Sequence, residues 1–297
     1  MSQTILLIGS TGQLGKELQQ ILQFYGNTIA PNRSQLDLTQ PATIRHIINT
    51  IQPQIIINAA AYTAVDRAES EPELANAINA IAPGIIAQEA QKLGASLIHI
   101  STDYVFDGRQ SHPYTENDVT NPLNVYGTSK LAGERAIQHN CESYLIVRTA
   151  WVYSAHGNNF VKTMLKLGAE QKEIRVVADQ IGSPTWTSDL ANAIAQLQQN
   201  PNHQGIYHYT NSGVASWYDF AVAIFEEAQR LNFPLKIQRV IPITTAEYPT
   251  PAQRPAYSVL ACAKIAATLK MIPPHWRQGL RQCLTAAHYE SADSLRR

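Results

Sequence analysis

The chain has 297 residues, 44% of them apolar and 15% charged, a composition that buries a sizeable core and excludes disorder. Its 23 basic residues balance 23 acidic ones, so no charge excess points to nucleic acid or to an anionic membrane surface. Cys141, Cys262 and Cys283 are odd in number and far apart, which excludes a disulfide framework or a metal-ligand spacing. No signal peptide precedes the short apolar run Ile5–Ile8, and no segment approaches the ~20 apolar residues of a membrane span, so the expected location is the cytoplasm.

Ile5–Ile8 reads as a strand buried on both faces of a parallel sheet. Gly15 to Phe24 reads as a helix, with Leu14, Leu18, Ile21 and Leu22 on one face. Between them Gly9, Gly12 and Gly15 form a GxxGxxG loop. Gly9 permits the tight turn, Gly12 lets backbone approach a pyrophosphate, and Gly15 allows close helix packing. The helix N-terminus then offers free N–H groups and its dipole to the phosphates. After the second strand, at Thr28 to Arg33, a carboxylate would bind the ribose hydroxyls of NAD. This chain has Asn32 and Arg33 instead, which predicts NADPH as the preferred cofactor, NADH remaining usable, with Arg33 near the 2′-phosphate. Asp37 is suited to the adenine amino group or to capping the next helix.

Ile55–Ile57 is a further strand, closed by the small residues Ala59, Ala60 and Ala61. Glu73 to Leu93 has a helical pattern that Pro83 should bend or divide. Leu97–Ile100 and Tyr144–Val147 are strands, and Ser129 to His139 is a helix. This alternation predicts an α/β fold, a Rossmann-like doubly wound parallel sheet. After Trp151 prolines break the rhythm. A smaller, interleaved C-terminal substrate lobe is expected over 151–297, and a dinucleotide-binding domain over 1–150. Elements near 185–200 and 215–232 are expected to return to the first domain, and the clearest helices are Asp189 to Gln199 and Trp217 to Leu231. The polar tail Ser291 to Arg297 is expected to be disordered.

Tyr126 and Lys130 stand four apart, so a helix puts both on one face. A tyrosine has an ordinary pKa near ~10 and needs a cationic neighbour to ionise at neutral pH. Such a pair can give a proton to a carbonyl oxygen as hydride arrives, and Lys130 can hydrogen-bond the nicotinamide ribose. The pair follows Thr102, which sits at a strand's carboxyl end and can polarise that carbonyl. His99, inside an apolar strand, and His208 read as structural. No GxSxG elbow and no metal-binding cluster of histidines is present.

In this order the residues resemble the extended short-chain dehydrogenase/reductase family, and within it the nucleotide-sugar reductases. The stretches that carry the resemblance are Asn58 to Pro72 (NAAAYTAVDRAESEP), Ser101 to Gly108 (STDYVFDG), Pro122 to Glu134 (PLNVYGTSKLAGE), Arg148 to Tyr153 (RTAWVY) and Arg254 to Leu260 (RPAYSVL). The resemblance implies reduction of the C4 ketone of dTDP-4-dehydro-β-L-rhamnose to dTDP-L-rhamnose by NAD(P)H. It also implies a homodimer, and in some members Mg²⁺, for which no ligands are identifiable. It makes Tyr126 the proton donor, Lys130 its partner, and Thr102 and Asp103 contacts of the sugar, with Trp151 against the nucleotide-sugar. Gly12, Gln13 and Leu14 would line the pyrophosphate, Asp37 and Leu38 the adenine, and Ala61, Tyr62 and Thr63 the nicotinamide half. Arg254 is a candidate for the substrate's diphosphate, because a guanidinium fork matches that geometry, with a surface salt bridge as the competing reading. The same motifs serve nucleotide-sugar epimerases and dehydratases, although a dehydratase should place a second acid after Asp103, where this chain has Tyr104. They also occur in a non-catalytic dinucleotide-binding regulatory subunit of the methionine adenosyltransferase type.

Overall fold

The computed structural model describes residues 3–200 and 202–294. The first half runs β1 (Thr4–Ile8), α1 (Gln13–Leu22), β2 (Asn27–Ile29), α2 (Pro41–Ile51), β3 (Ile55–Asn58), α3 (Val65–Ala68), α4 (Pro72–Asn76), α5 (Ala82–Leu93), β4 (Ser96–Thr102), α6 (Val125–Asn140) and β5 (Tyr144–Thr149). Then follow β6 (Val152–Tyr153), α7 (Phe160–Glu170), β7 (Glu173–Val177), β8 (Ile181–Gly182), β9 (Thr185–Trp186), α8 (Thr187–Leu197) and β10 (Gly205–His208). The chain closes with β11 (Ala215–Ser216), α9 (Trp217–Arg230), β12 (Arg239–Ile243), α10 (Ala263–Leu269) and α11 (Trp276–Ser294).

Six strands form one parallel sheet in the order β10-β5-β4-β3-β1-β2. Side chains alternate between its faces, so the apolar strands must be covered twice. Ile5, Leu7, Ile57 and Val147 pack against α1 and α8, while Leu6, Ile8, Ile56 and Ile146 pack against α2, α5 and α6. Chain order reverses between β1 and β3, which opens a crevice at their carboxyl ends.

Several boundaries differ from the sequence expectation. Helix α6 starts at Val125, not Ser129, because the Asn124 side chain accepts the Gly127 N–H at 2.8 Å and caps it. Tyr126 thereby joins the helix that carries Lys130. The helical stretch before Pro83 is not simply bent. Residues Ala77–Ile81 form a π turn between α4 and α5, and that extra residue turns Asn79 inward. The Asn79 side chain accepts from Tyr62 N at 2.8 Å and donates to Tyr62 O at 3.0 Å and to the Ser129 hydroxyl at 3.1 Å.

The second half builds its own core around Tyr153, Phe220, Ile224, Trp276 and Leu284. Of the two segments expected to return to the first sheet, α8 does so, through Leu190, Ile194 and Leu197. Helix α9 instead buries Phe220, Ile224 and Phe225 in the second core, and the sixth strand of the sheet is β10. Cys141 and Cys283 are buried and Cys262 is half-buried, and none of the three is in a disulfide. Helix α11 continues to Ser294, so the start of the expected disordered tail is helical and residues 295–297 lie outside the described part. Among the described residues no helix is long and apolar enough to cross a membrane.

Candidate active site

The carboxyl ends of β1, β3, β4 and β5 open into a cleft of about 680 Å³ that the second lobe closes from above with Trp151, Gly157, Asn158 and Trp217. Gly9 has φ +88°, and a Cβ there would lie 2.6 Å from Ala60 N, so only glycine fits this turn. Gly15 packs behind it, with no room for a side chain against Gly9 O. Gly12 caps α1 without any side-chain hydrogen bond, which leaves the first-turn N–H groups for a ligand. Gln13 reaches across to the second lobe. Its Oε1 accepts from Asn159 Nδ2 at 2.8 Å, and its Nε2 donates to Asn158 O at 3.2 Å.

Gly9, Gly12, Gln13, Leu14, Asn32, Arg33, Asp37, Leu38, Ala61 and Thr63 all line the cleft. Asn32 does not present its oxygen outward. Its Oδ1 accepts from Ser34 N at 3.0 Å, Ser34 Oγ at 2.6 Å and Gln35 N at 3.1 Å, an Asx turn that fixes the loop. Asp37 likewise accepts from Thr39 N and Oγ1 at 2.9 and 2.8 Å. Those bonds from Thr39, backbone first, hold its carboxyl below the usual range. Tyr62 and Gly15 do not line the cleft. The Tyr62 hydroxyl turns away to Glu71 Oε2 at 2.5 Å, while its backbone is clamped by Asn79.

At the other end Thr102, Asp103, Tyr126, Lys130 and Trp151 share the cleft wall. Tyr126 and Lys130 are 9% and 1% exposed. Burial pushes the Tyr126 phenol up to about 12, against a hydrogen bond with Thr102. Burial pulls the Lys130 ammonium down to about 8, against the nearby Glu134 carboxylate. Lys130 Nζ lies 2.6 Å from Ile100 O and 3.1 Å from His99 Nε2. Asp103 is pushed up to about 6 by burial, opposed by hydrogen bonds from Ser258 and Thr102, the latter at 3.0 Å. The Tyr104 ring meets Tyr126 edge-on at 5.5 Å. Beneath this group Arg148 and Glu134 form a buried ion pair at 2.7 Å, and Ser101 donates to the same carboxylate at 2.5 Å. That pair ties α6 to β4 and β5.

Trp151 has φ +47°, a left-handed conformation that costs a non-glycine residue of order 1–3 kcal/mol. Its indole lies over Gly182 and stacks on Trp217 with ring centres 3.6 Å apart. Trp217, Gly157 and Asn158 escaped the sequence reading, because no spacing motif links them to Trp151. Asn79 escaped it too. Arg254 does not line the cleft. Its fork grips Asp66, with Nη1 to Oδ1 at 3.0 Å and Nη2 to Oδ2 at 2.7 Å. Among the described residues no group of three or more His, Cys, Asp or Glu side chains could hold a metal ion.

A glycine loop at a switch point, sharing one cleft with a strand-end threonine and a buried Tyr–Lys pair on a helix, defines a nicotinamide-dependent oxidoreductase of the short-chain type. The chain belongs to the family described as the RmlD substrate binding domain, whose model matches residues 3–289. It is similar to dTDP-4-dehydrorhamnose reductase of Escherichia coli K12, 46% identical over 288 residues that cover 94% of this chain and 96% of that protein. The Salmonella typhimurium protein of the same name is 44% identical, over 95% of this chain and 97% of its own. A crystal structure of dTDP-4-dehydrorhamnose reductase from Bacillus anthracis in complex with NADP matches with a TM-score of 0.91 at 41% identity, covering 96% of this chain and 100% of that one.

Proposed function

We propose that this protein reduces the C4 ketone of dTDP-4-dehydro-β-L-rhamnose to dTDP-L-rhamnose with NADPH. The observation that carries the reading is the convergence of Thr102, Tyr126 and Lys130 on the same cleft as the glycine loop. The residues present fit a dinucleotide. Gly12 and the uncapped start of α1 would hold its pyrophosphate, Arg33 its 2′-phosphate, and Lys130 its nicotinamide ribose. When bound, NADPH supplies the hydride. Thr102 polarises the C4 carbonyl of the sugar by hydrogen bonding to its oxygen. Tyr126, kept as a phenol by burial, gives its proton to that oxygen as the alcohol forms. The stacked pair Trp151–Trp217 excludes water from the sugar side and presents an aromatic face to the nucleotide-sugar.

Residues 1–150 bind the dinucleotide in this reading, with α8 and β10 returning to them, and residues 151–297 close on the nucleotide-sugar. For Arg254 two uses compete for one guanidinium. Its bidentate grip on Asp66 favours bracing the 250–254 segment against α3 over holding the substrate diphosphate. The family resemblance supports a homodimer working in the cytoplasm.

The same motifs serve epimerases, which return a hydride to the sugar from which they took it. Turnover of dTDP-4-dehydrorhamnose with NADPH deuterated on its transferable C4 position separates the two. Deuterium should appear at C4 of the product with net oxidation of one NADPH per sugar. An isomerised, unlabelled sugar without cofactor consumption would contradict the reading.

A further inference from the structure

His99 is fully buried at the heart of β4, and its ring nitrogens face two groups that can be identified by what they must donate. Asn58, also buried, lies beside it on β3. The Ala60 N–H sits 3.1 Å from one amide atom of the Asn58 side chain. An N–H only donates, so that atom is the oxygen, and the NH₂ group is the one 3.1 Å from His99 Nδ1. His99 Nδ1 therefore accepts, and a neutral imidazole then carries its hydrogen on Nε2. That Nε2–H points at Lys130 Nζ, 3.1 Å away. An ammonium has three donors and no acceptor, whereas an amine has a lone pair to receive the Nε2–H. Lys130 as an amine satisfies every bond in the chain Ala60–Asn58–His99–Lys130 and still donates to Ile100 O at 2.6 Å. Lys130 as an ammonium sets two donors against each other somewhere along it, because moving the hydrogen to Nδ1 aims it at the Asn58 NH₂.

We propose that Asn58 and His99 form a tautomer lock that lowers the proton affinity of Lys130 in the unliganded protein, making both of them positioning residues for the Tyr126–Lys130 pair. By disfavouring the positive charge beside Tyr126 the lock favours the phenol, the form that reduction consumes. Among the charged groups near Lys130, the Glu134 carboxylate opposes this. Glu134 on α6 is paired with Arg148 of β5, and Tyr126 and Asp103 are buried with raised proton affinity. Burial keeps the His99 imidazole well below its ordinary pKa, which suits a ring that stays neutral.

The inference rests on Lys130 being part of the reductase chemistry, and the test separates the two. ¹⁵N-histidine NMR of the unliganded protein, with the His99 signal assigned from His99→Asn, should show a protonated Nε2 and a bare Nδ1. Asn58→Asp replaces the NH₂ with an acceptor of the same shape, so the His99 hydrogen should move to Nδ1. The limb of the kcat/KM pH profile near pH 8 should then move upward by about one unit or more. An Nδ1–H tautomer in the wild type, or a folded, active Asn58→Asp protein with an unmoved limb, would overturn the lock. Lys130→Met retaining full turnover would instead sink the role of Lys130 itself.

Discussion

The two walls of the cleft are built in opposite ways. The first wall uses short contiguous segments, 9–15 after β1, 102–103 at the end of β4 and 126–130 in the first turns of α6, each held by backbone hydrogen bonds and buried neighbours. The sugar wall uses Trp151, Trp217 and the loop at Gly157–Asn158, which come together only through tertiary packing. The first wall is held by a buried ion pair and a capped helix, and the second by a stack of two indoles, one of them on left-handed backbone. A wall held this way fixes the position of Tyr126, as its proposed role as proton donor requires. The other wall is carried by the second lobe, which meets the first through Gln13 and its bonds to Asn158 and Asn159.

That contrast can be broken at either wall. Glu134→Ala should have the largest effect on stability, because it strands the buried Arg148 charge and frees α6 from β4 and β5. A loss of about 3–5 kcal/mol in denaturant unfolding is expected, and a change within the noise of a surface substitution would mean the wall is held otherwise. Arg33→Ala should act at the adenosine end of the same wall. It is expected to raise the NADPH Michaelis constant about tenfold, by the loss of one charged hydrogen bond, and to leave that for NADH unchanged. An unaltered ratio of the two would remove Arg33 from cofactor selection. Trp217→Ala should have the smallest effect, confined to the other wall. Losing the stack should raise the sugar-nucleotide Michaelis constant from a few-fold to about tenfold and leave the NADPH constant in place. Equal rises in both would show that the walls are not separable.

The same contrast explains what the sequence made legible. The apolar runs at Ile5–Ile8 and Ile55–Ile57 announced buried parallel strands, and the spacing of Gly9, Gly12 and Gly15 announced the loop, because both are local rules. Helix α6 looked shorter than it is because Tyr126, Gly127 and Thr128 are weak helix formers, and the Asn124 cap that starts it depends on a single side-chain bond. The π turn at Ala77–Ile81 follows from the packing of Asn79 against Tyr62 and Ser129, which no periodicity encodes. The amphipathic pattern of α9 was visible, but a pattern does not say which core receives it. Trp151 carried a resemblance, yet nothing in its neighbours announced a left-handed backbone or a partner at Trp217. His99 read as a core histidine. It is one, and its hydrogen bonds add a link to Lys130 that only the paired strands reveal.

The central claim is that Tyr126 supplies the proton at the C4 oxygen. It is tested most directly by NADPH consumption with dTDP-4-dehydrorhamnose, wild type against Tyr126→Phe, with cofactor binding measured on both. The account predicts a folded Tyr126→Phe protein that binds NADPH normally and turns over about 10²- to 10⁴-fold more slowly. Turnover at the full wild-type rate would contradict it.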